Sequence, residues 1–221
     1  MTPKPTLLPP VKAVLFDYGG VLRREDTADF DAFAAEVGLP PGWLWSAFHD
    51  IPEYVLSRTG RLDPAAYRAA VVAHLARVLP RDRAEAALDA WEDLRRRDDP
   101  VEPEMDEVLD RLRGRVRLGL LSNAGRGARE RLDALGVSAR FDDVVCSGDV
   151  GLAKPDPAIF RLAARRLDLP PEACAFVDDT ERHVLAARGV GLRAHHHHRT
   201  RMGALRAFLV AVGALPSPDP S

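Results

Sequence analysis

A chain of 221 residues, 46% hydrophobic and 29% charged with 18 Pro and 16 Gly, suits one domain with an insertion or two small domains; it excludes a disordered or collagenous chain. Thirty-one basic side chains against 33 acidic ones leave a formal charge of −2, without the basic excess that a nucleic-acid backbone or an anionic membrane attracts. Cys146 and Cys174 lie in separate apolar runs and build neither a disulfide scaffold nor a zinc cluster, and no uncharged apolar stretch reaches 18 residues. The expectation is a soluble, cytoplasmic protein that binds neither nucleic acid nor membrane.

In chain order, Val11 to Phe16 predicts a buried strand that delivers Asp17 into a Gly19-Gly20 loop. The stretch from Arg23 to Asp99 contains no convincing strand. Helices are expected there at Thr27 to Val37, Gly42 to His49, Pro64 to Leu79 behind an Asp63 cap, and Arg83 to Arg96. From Pro103 onward short apolar strands alternate with helices. Strands are expected at Val116 to Leu121, Val144 to Cys146, Ala173 to Val177 and Leu192 to His196. The helices between and after them are Gly127 to Leu135 stopped by Gly136, Pro157 to Leu167 capped by Asp156, Glu181 to Arg188 stopped by Gly189, and Met202 to Val212. Repeated βα units with continuous apolar strands predict an α/β fold, a parallel sheet covered on both faces. The tail from Pro216 to Ser221 is expected to fray.

In open parallel sheets, ligands bind beyond the carboxyl ends of the strands. The residues there are Asp17-Tyr18-Gly19-Gly20-Val21-Leu22, Ser122-Asn123, Lys154-Pro155 and Asp178-Asp179-Thr180. Taken singly, each has a bland explanation as a turn, a helix cap or a solvated charge. Together, each closing its own strand, they would supply a carboxylate nucleophile, a hydroxyl, an ammonium and an acidic pair. Lys154 is one of three lysines in a chain with 31 basic residues, and a lysine is a compact point charge suited to phosphate.

In the order of its motifs FDYGGVL, LLSN, AKPDP and FVDD, the sequence resembles the haloacid dehalogenase (HAD) superfamily of hydrolases. The resemblance implies a flavodoxin-like (Rossmannoid) core formed by residues 1–22 and 100–221, with a small helical cap domain at 23–99 and the substrate held at their junction. It implies a Mg²⁺-dependent phosphatase that acts on a small phosphorylated substrate and forms an aspartyl-phosphate on Asp17. By position, the Mg²⁺ ligands would be the Asp17 carboxylate, the Gly19 carbonyl and the Asp179 carboxylate. Asp178 would sit behind them or reach the metal through water. Ser122, Asn123 and Lys154 would bind the phosphoryl group, with Lys154 also offsetting charge on Asp17. The resemblance implies neither a monomer nor a homodimer.

Two departures from the family's pattern bear on mechanism. Many of its phosphatases carry a second aspartate two residues after the nucleophile as general acid and base, and here that place is Gly19. Either another group, such as His49, Asp50 or His183, supplies the proton, or leaving groups that need none are preferred; Gly19 is equally open to a backbone role, since glycine takes positive φ in such loops. The position four after Asp179 is His183, which either orients Asp179 or a metal-bound water, or lies on the surface. Two other readings compete. A 2-haloacid dehalogenase expels halide without a proton, which suits Gly19, but the pair Asp178-Asp179 would repel a carboxylate substrate. A non-catalytic phosphate-binding module is the third.

Four consecutive histidines, His195 to His198, cannot converge on one ion from a strand whose side chains alternate, and solvated rings at a strand end are expected. Gly189-Val190-Gly191 lacks the third glycine of a dinucleotide fingerprint. Trp43, Trp45, Phe48 and His49 are expected in the cap core rather than against substrate. Arg23 and Arg24 read as a solvated pair or a site for a second anionic group.

Overall fold

A computed structural model describes residues 8–25, 27–97 and 101–217. Five parallel strands, β1 (Ala13–Phe16), β2 (Arg117–Ser122), β3 (Asp143–Cys146), β4 (Cys174–Asp178) and β5 (Arg193–His196), form one sheet in the order β3-β2-β1-β4-β5. The expected α/β doubly wound sheet is therefore present, in the Rossmannoid order. The chain steps outward from β1 to β2 and β3, then returns to the other side of β1 for β4. Its topological switch point, where such sheets open a crevice, lies between β1 and β4.

Continuous apolar strands arise because both faces of the sheet are covered. Val14, Phe16, Leu118, Leu120, Val144 and Val177 point to one side, where they meet α6 (Pro103–Leu112), α7 (Ala128–Ala134) and α11 (Met202–Ala211). Ala13, Leu15, Leu121, Val145, Cys174 and Phe176 point to the other, against α9 (Pro157–Arg166) and α10 (Glu181–Gly189). The alternation follows from the two-residue period of a strand. Asp156 caps α9 as expected, accepting from the Ala158 N–H at 2.8 Å. Gly189 does not stop α10 but belongs to it, and the positive φ that ends the segment falls on Gly191. Two elements escaped the sequence reading here, α6 and the short α8 (Ser147–Val150).

Between β1 and α6 lie five helices: α1 (Thr27–Val37), α2 (Trp43–His49), α3 (Glu53–Arg58), α4 (Pro64–Leu75) and α5 (Arg81–Arg97). They pack around a core of their own that includes Phe30, Phe33, Leu44, Val72, Leu75, Leu88 and Trp91. Asp63 caps α4, its carboxylate accepting from Ala65 N–H at 2.8 Å and Ala66 N–H at 3.4 Å. The helix ends at Leu75 rather than Leu79 because the chain turns over residues 76–79. α3 is unforeseen. Trp43, Trp45 and Phe48 pack against this core, and the His49 ring stacks on Trp45 at 3.8 Å.

The chain leaving the sheet and the chain returning to it run side by side. Glu102 N–H donates to Leu22 O at 2.8 Å, the Arg23 guanidinium donates to Arg95 O, and Arg95 donates to Arg24 O at 3.1 Å. The expected border between the cap and the core on the returning side, residues 99 and 100, lies outside the described residues, as does the tail beyond Ser217. Among the described residues, no helix is long and apolar enough to cross a membrane.

Candidate active site

The β1 and β4 ends meet at the switch point. Asp17 N–H continues the ladder onto Val177 O at 2.9 Å, which sets the first residue after β1 beside the last residues of β4. Lys154 reaches between them from the loop before α9. Its Nζ lies 2.8 Å from Asp17 Oδ1 and 2.7 Å from Asp178 Oδ2, and the lysine is only 3% exposed. A buried ammonium is tolerable only when paired, and here two carboxylates pair it. The next peptide, Lys154–Pro155, is cis.

Asn123 sets the height of Lys154. Its amide nitrogen donates to Lys154 O at 2.9 Å and its amide oxygen accepts from Lys154 N–H at 2.8 Å. The side chain expected to meet a ligand is thus committed to the Lys154 backbone. Ser122, the last residue of β2, is buried beside it.

Asp178 is fully buried. Its Oδ1 accepts from Thr180 N–H at 2.8 Å, and His183 Nδ1 lies 3.1 and 3.2 Å from its two oxygens. His183 therefore supports Asp178, not Asp179, and it is buried rather than on the surface, because the first turn of α10 turns its ring back under β4. Asp179 points the other way, toward the loop after Asp17. A Cβ built on Gly20 would lie 2.0 Å from Asp179 Oδ2, and Gly20 has φ +77. The positive φ foreseen as a possible reason for Gly19 thus belongs to Gly20, where glycine is needed both for its φ and for the closeness of Asp179.

Electrostatics distinguish the three carboxylates. Burial alone would raise Asp178, but Lys154 and His183 hold its carboxyl well below the usual range. Burial drives Asp17 well above its ordinary value; Lys154 opposes this, while Asp178 and Asp179 add to it. Asp179 is likewise raised, by burial and then by Asp178. Burial disfavours the Lys154 ammonium, yet Asp17 and Asp178 outweigh it and push the lysine up. One ammonium thus faces three carboxylates, and two of them, Asp17 and Asp179, are raised. That is a donor set of hard oxygens short of a cation, which suits Mg²⁺. Ligand-capable atoms of Asp17, Asp178 and His183 also lie within 4.8 Å of one another.

The histidine run is not simply solvated. The rings alternate as a strand requires: His195 stacks on Phe208 at 5.1 Å, while His196 Nε2 donates to Asp179 O at 2.8 Å. His197 is buried, neither ring nitrogen has a hydrogen-bond partner among the described residues, and its backbone N–H donates to Asp178 O at 2.9 Å. β5 thereby braces the backbone of the acidic pair. Glu25, which the sequence reading passed over, reaches the loop after Asp17: a Cβ on Gly19 would lie 2.2 Å from its Oε2.

A family model described as haloacid dehalogenase-like hydrolase matches residues 11–191. A phosphoserine phosphatase of Thermus thermophilus is 38% identical over 116 residues, covering 51% of this chain and 46% of that protein. The chain spans about half the length of the curated relatives it matches. A HAD family enzyme of Bacteroides thetaiotaomicron, solved with magnesium and inorganic phosphate, superposes with a TM-score of 0.64 at 20% identity, over 85% of this chain and 94% of that one. An L-2-haloacid dehalogenase of Xanthobacter autotrophicus superposes with a TM-score of 0.63 at 22% identity, over 93% and 85%. These two likenesses are of fold.

Proposed function

This chain belongs to the haloacid dehalogenase-like hydrolases, and from that premise we propose that it is a Mg²⁺-dependent phosphatase of a small phosphorylated substrate, with Asp17 as nucleophile. The observation that carries the reading is the Asp17–Lys154–Asp178 arrangement at the switch point, with Asp179 facing it across Gly20. The relative with phosphatase activity in its name supports the same chemistry.

The Asp17 and Asp179 carboxylates and the Gly19 carbonyl would hold Mg²⁺. Asp178 is already neutralised by Lys154 and fully buried, so it serves better behind these ligands than among them. When bound, the metal offsets charge between the anionic nucleophile and the anionic phosphoryl group. Lys154, held by Asn123, presents its ammonium to the phosphoryl oxygens and to Asp17, and the Ser122 hydroxyl donates to another of those oxygens. A carboxylate oxygen of Asp17 attacks phosphorus and the leaving group departs. Water then cleaves the acyl phosphate and restores the carboxylate. The five-helix insert at 23–99 acts as the cap and sets substrate choice.

The test is a phosphate-release screen across phosphorylated metabolites with and without Mg²⁺, run beside 2-haloacids assayed for halide. Phosphate release that depends on Mg²⁺ supports the reading. Halide release in the presence of chelator would replace it with the dehalogenase mechanism, and silence on both would favour a non-catalytic phosphate-binding module.

A further inference from the structure

We propose that Glu25 is the general acid and base of this active site, supplying from the following loop the carboxylate that position 19 lacks. The inference rests on the phosphatase reading above.

The loop geometry explains how a residue six positions on arrives there. After Asp17 the chain makes a tight turn in which Leu22 and Arg23 N–H groups donate to Tyr18 O at 3.0 and 2.9 Å, and Gly20 N–H donates to Arg23 O at 2.9 Å. Gly19 and Arg23 pair as a bridge. Val21 and Leu22, both buried in the sheet core, anchor the turn. The chain has doubled back, so Glu25 lies alongside Gly19. Its Oε2 falls 2.2 Å from where a Cβ on Gly19 would be, with Cδ farther off at 3.4 Å, so the oxygen is the atom presented. In an aspartate, ordinary bond lengths separate Cβ from a carboxyl oxygen by about 2.4 Å. Glu25 thus brings an oxygen as near to this Cβ position as the carboxylate of an aspartate side chain there would be. Arg24 beside it is turned to Asp29 at 2.9 Å, and Glu25 is close enough to Asp179 and to His49 for its charge to raise both. A side chain at position 19 would collide with Glu25, which makes Gly19 and Glu25 two halves of one arrangement.

In the first half-reaction, an Asp17 oxygen bonds to phosphorus, the phosphorus–oxygen bond to the leaving group breaks, and the Glu25 carboxyl proton passes to that leaving oxygen. In the second, the Glu25 carboxylate takes a proton from water as the water oxygen bonds to phosphorus. The bond to Asp17 then breaks, releasing inorganic phosphate and leaving Glu25 protonated again. The sum is one ester and one water converted to one alcohol and one phosphate.

The experiment compares wild type with Glu25→Gln on an alkyl phosphate and on aryl phosphates of graded phenol acidity, all with Mg²⁺. Phosphoryl-protein is measured after acid quench. Loss of the acid should lower alkyl-phosphate turnover by ~10²–10⁴ and steepen the dependence on leaving-group acidity. Loss of the base should make Glu25→Gln accumulate phosphoryl on Asp17 from the most acidic aryl phosphate, where wild type shows little. Glu25→Asp should fall between the two. Gly19→Asp, added to Glu25→Ala so that position 19 has room for a side chain, should raise alkyl-phosphate turnover at least tenfold over Glu25→Ala alone. Glu25 is exposed, so a melt that matches wild type is expected for each variant at this position. Glu25→Gln with the wild-type leaving-group dependence and phosphoryl level would overturn the role of Glu25 and leave the phosphatase reading standing. A wild type that releases no phosphate and traps no phosphoryl overturns both.

Discussion

The Asn123 side chain holds the Lys154 peptide at both polar atoms, donating to its carbonyl at 2.9 Å and accepting from its N–H at 2.8 Å. It follows Ser122 at the end of β2, so it ties the loop carrying the ammonium to the strand carrying the hydroxyl. Asn123→Ala leaves both Lys154 backbone groups without these partners in a half-buried loop, at a cost of about 1–3 kcal/mol. Lys154 Nζ would then lose its fixed height between Asp17 and Asp178. Turnover should fall ~10–100-fold, the loss expected when a supporting residue loosens a catalytic geometry. Denaturant melts and kcat for any phosphate ester found in the screen check the two parts separately. Unchanged kcat with lowered stability would assign Asn123 to folding alone.

The adjacent glycines of the loop after Asp17 should behave oppositely. At Gly20 a Cβ meets Asp179 Oδ2 at 2.0 Å on a backbone of φ +77, so Gly20→Ala must strain the loop by roughly 1–2 kcal/mol and displace a proposed metal ligand. At Gly19 a Cβ meets only the far end of the flexible Glu25 side chain. Gly19→Ala should fold with a melt within ~0.5 kcal/mol of wild type, as is usual away from packed features. Thermal melts with and without Mg²⁺ read both. A Gly20→Ala variant that melts as wild type and keeps its Mg²⁺-induced stabilisation would refute the account of that position.

What could be read in advance depended on whether a feature has a local signature. The five strands were legible because a sheet covered on both faces writes continuous apolar runs, and Asp17, Ser122 and Asp178-Asp179 were legible because they stand at or just beyond strand ends; Lys154, expected to close a strand of its own, instead follows α8 and reaches the site from the loop before α9. α6 carried a signal that went unread: Pro103 at its first turn and Met105, Val108, Leu109 and Leu112 on one face. α3 carried almost none. It has six residues, Ser57 alone is buried, and Val55 and Leu56 face outward. The side-chain pairings were hidden for another reason. That His183 meets Asp178 rather than Asp179 depends on how α10 departs from β4, and Glu25 beside Gly19 depends on a turn that doubles the chain back.

Asp17 is expected to trade stability for chemistry. Burial, opposed by Lys154 but reinforced by Asp178 and Asp179, raises its carboxyl, so ionising Asp17 costs the folded protein stability relative to the unfolded chain. Asp17→Asn removes that charge and keeps the shape. Without metal it should raise Tm by ~2–4 °C, the shift that about 1 kcal/mol produces in a chain of this size. Adding Mg²⁺ should stabilise wild type and leave Asp17→Asn nearly unmoved, while its turnover drops to background. Calorimetry in EDTA and then in Mg²⁺ makes the comparison. A Tm that falls on Asp17→Asn would mean that the Lys154 contact outweighs the burial cost.

His197 should make the protein acid-sensitive independently of catalysis. The ring is 1% exposed, its two nitrogens have no partner among the described residues, and burial, reinforced by His195, His198 and His196, lowers its pKa from 6.5 to about 4. A histidine lowered in the folded state is held neutral there, while the unfolded chain takes up a proton below its ordinary value. Above pH 6.5 the group contributes no slope. Between 6.5 and about 4 the unfolded state binds more protons, so stability falls with pH; below about 4 both states are protonated and the slope ends. The loss is about 2 kcal/mol by pH 5 and about 3 kcal/mol in full. His197→Phe removes the titration from a buried site that asks for no hydrogen bond. Its urea-unfolding free energy should decline less than wild type between pH 7 and 5, by about 2 kcal/mol. Equal slopes for wild type and His197→Phe would show that this ring finds a partner, or water, when it charges.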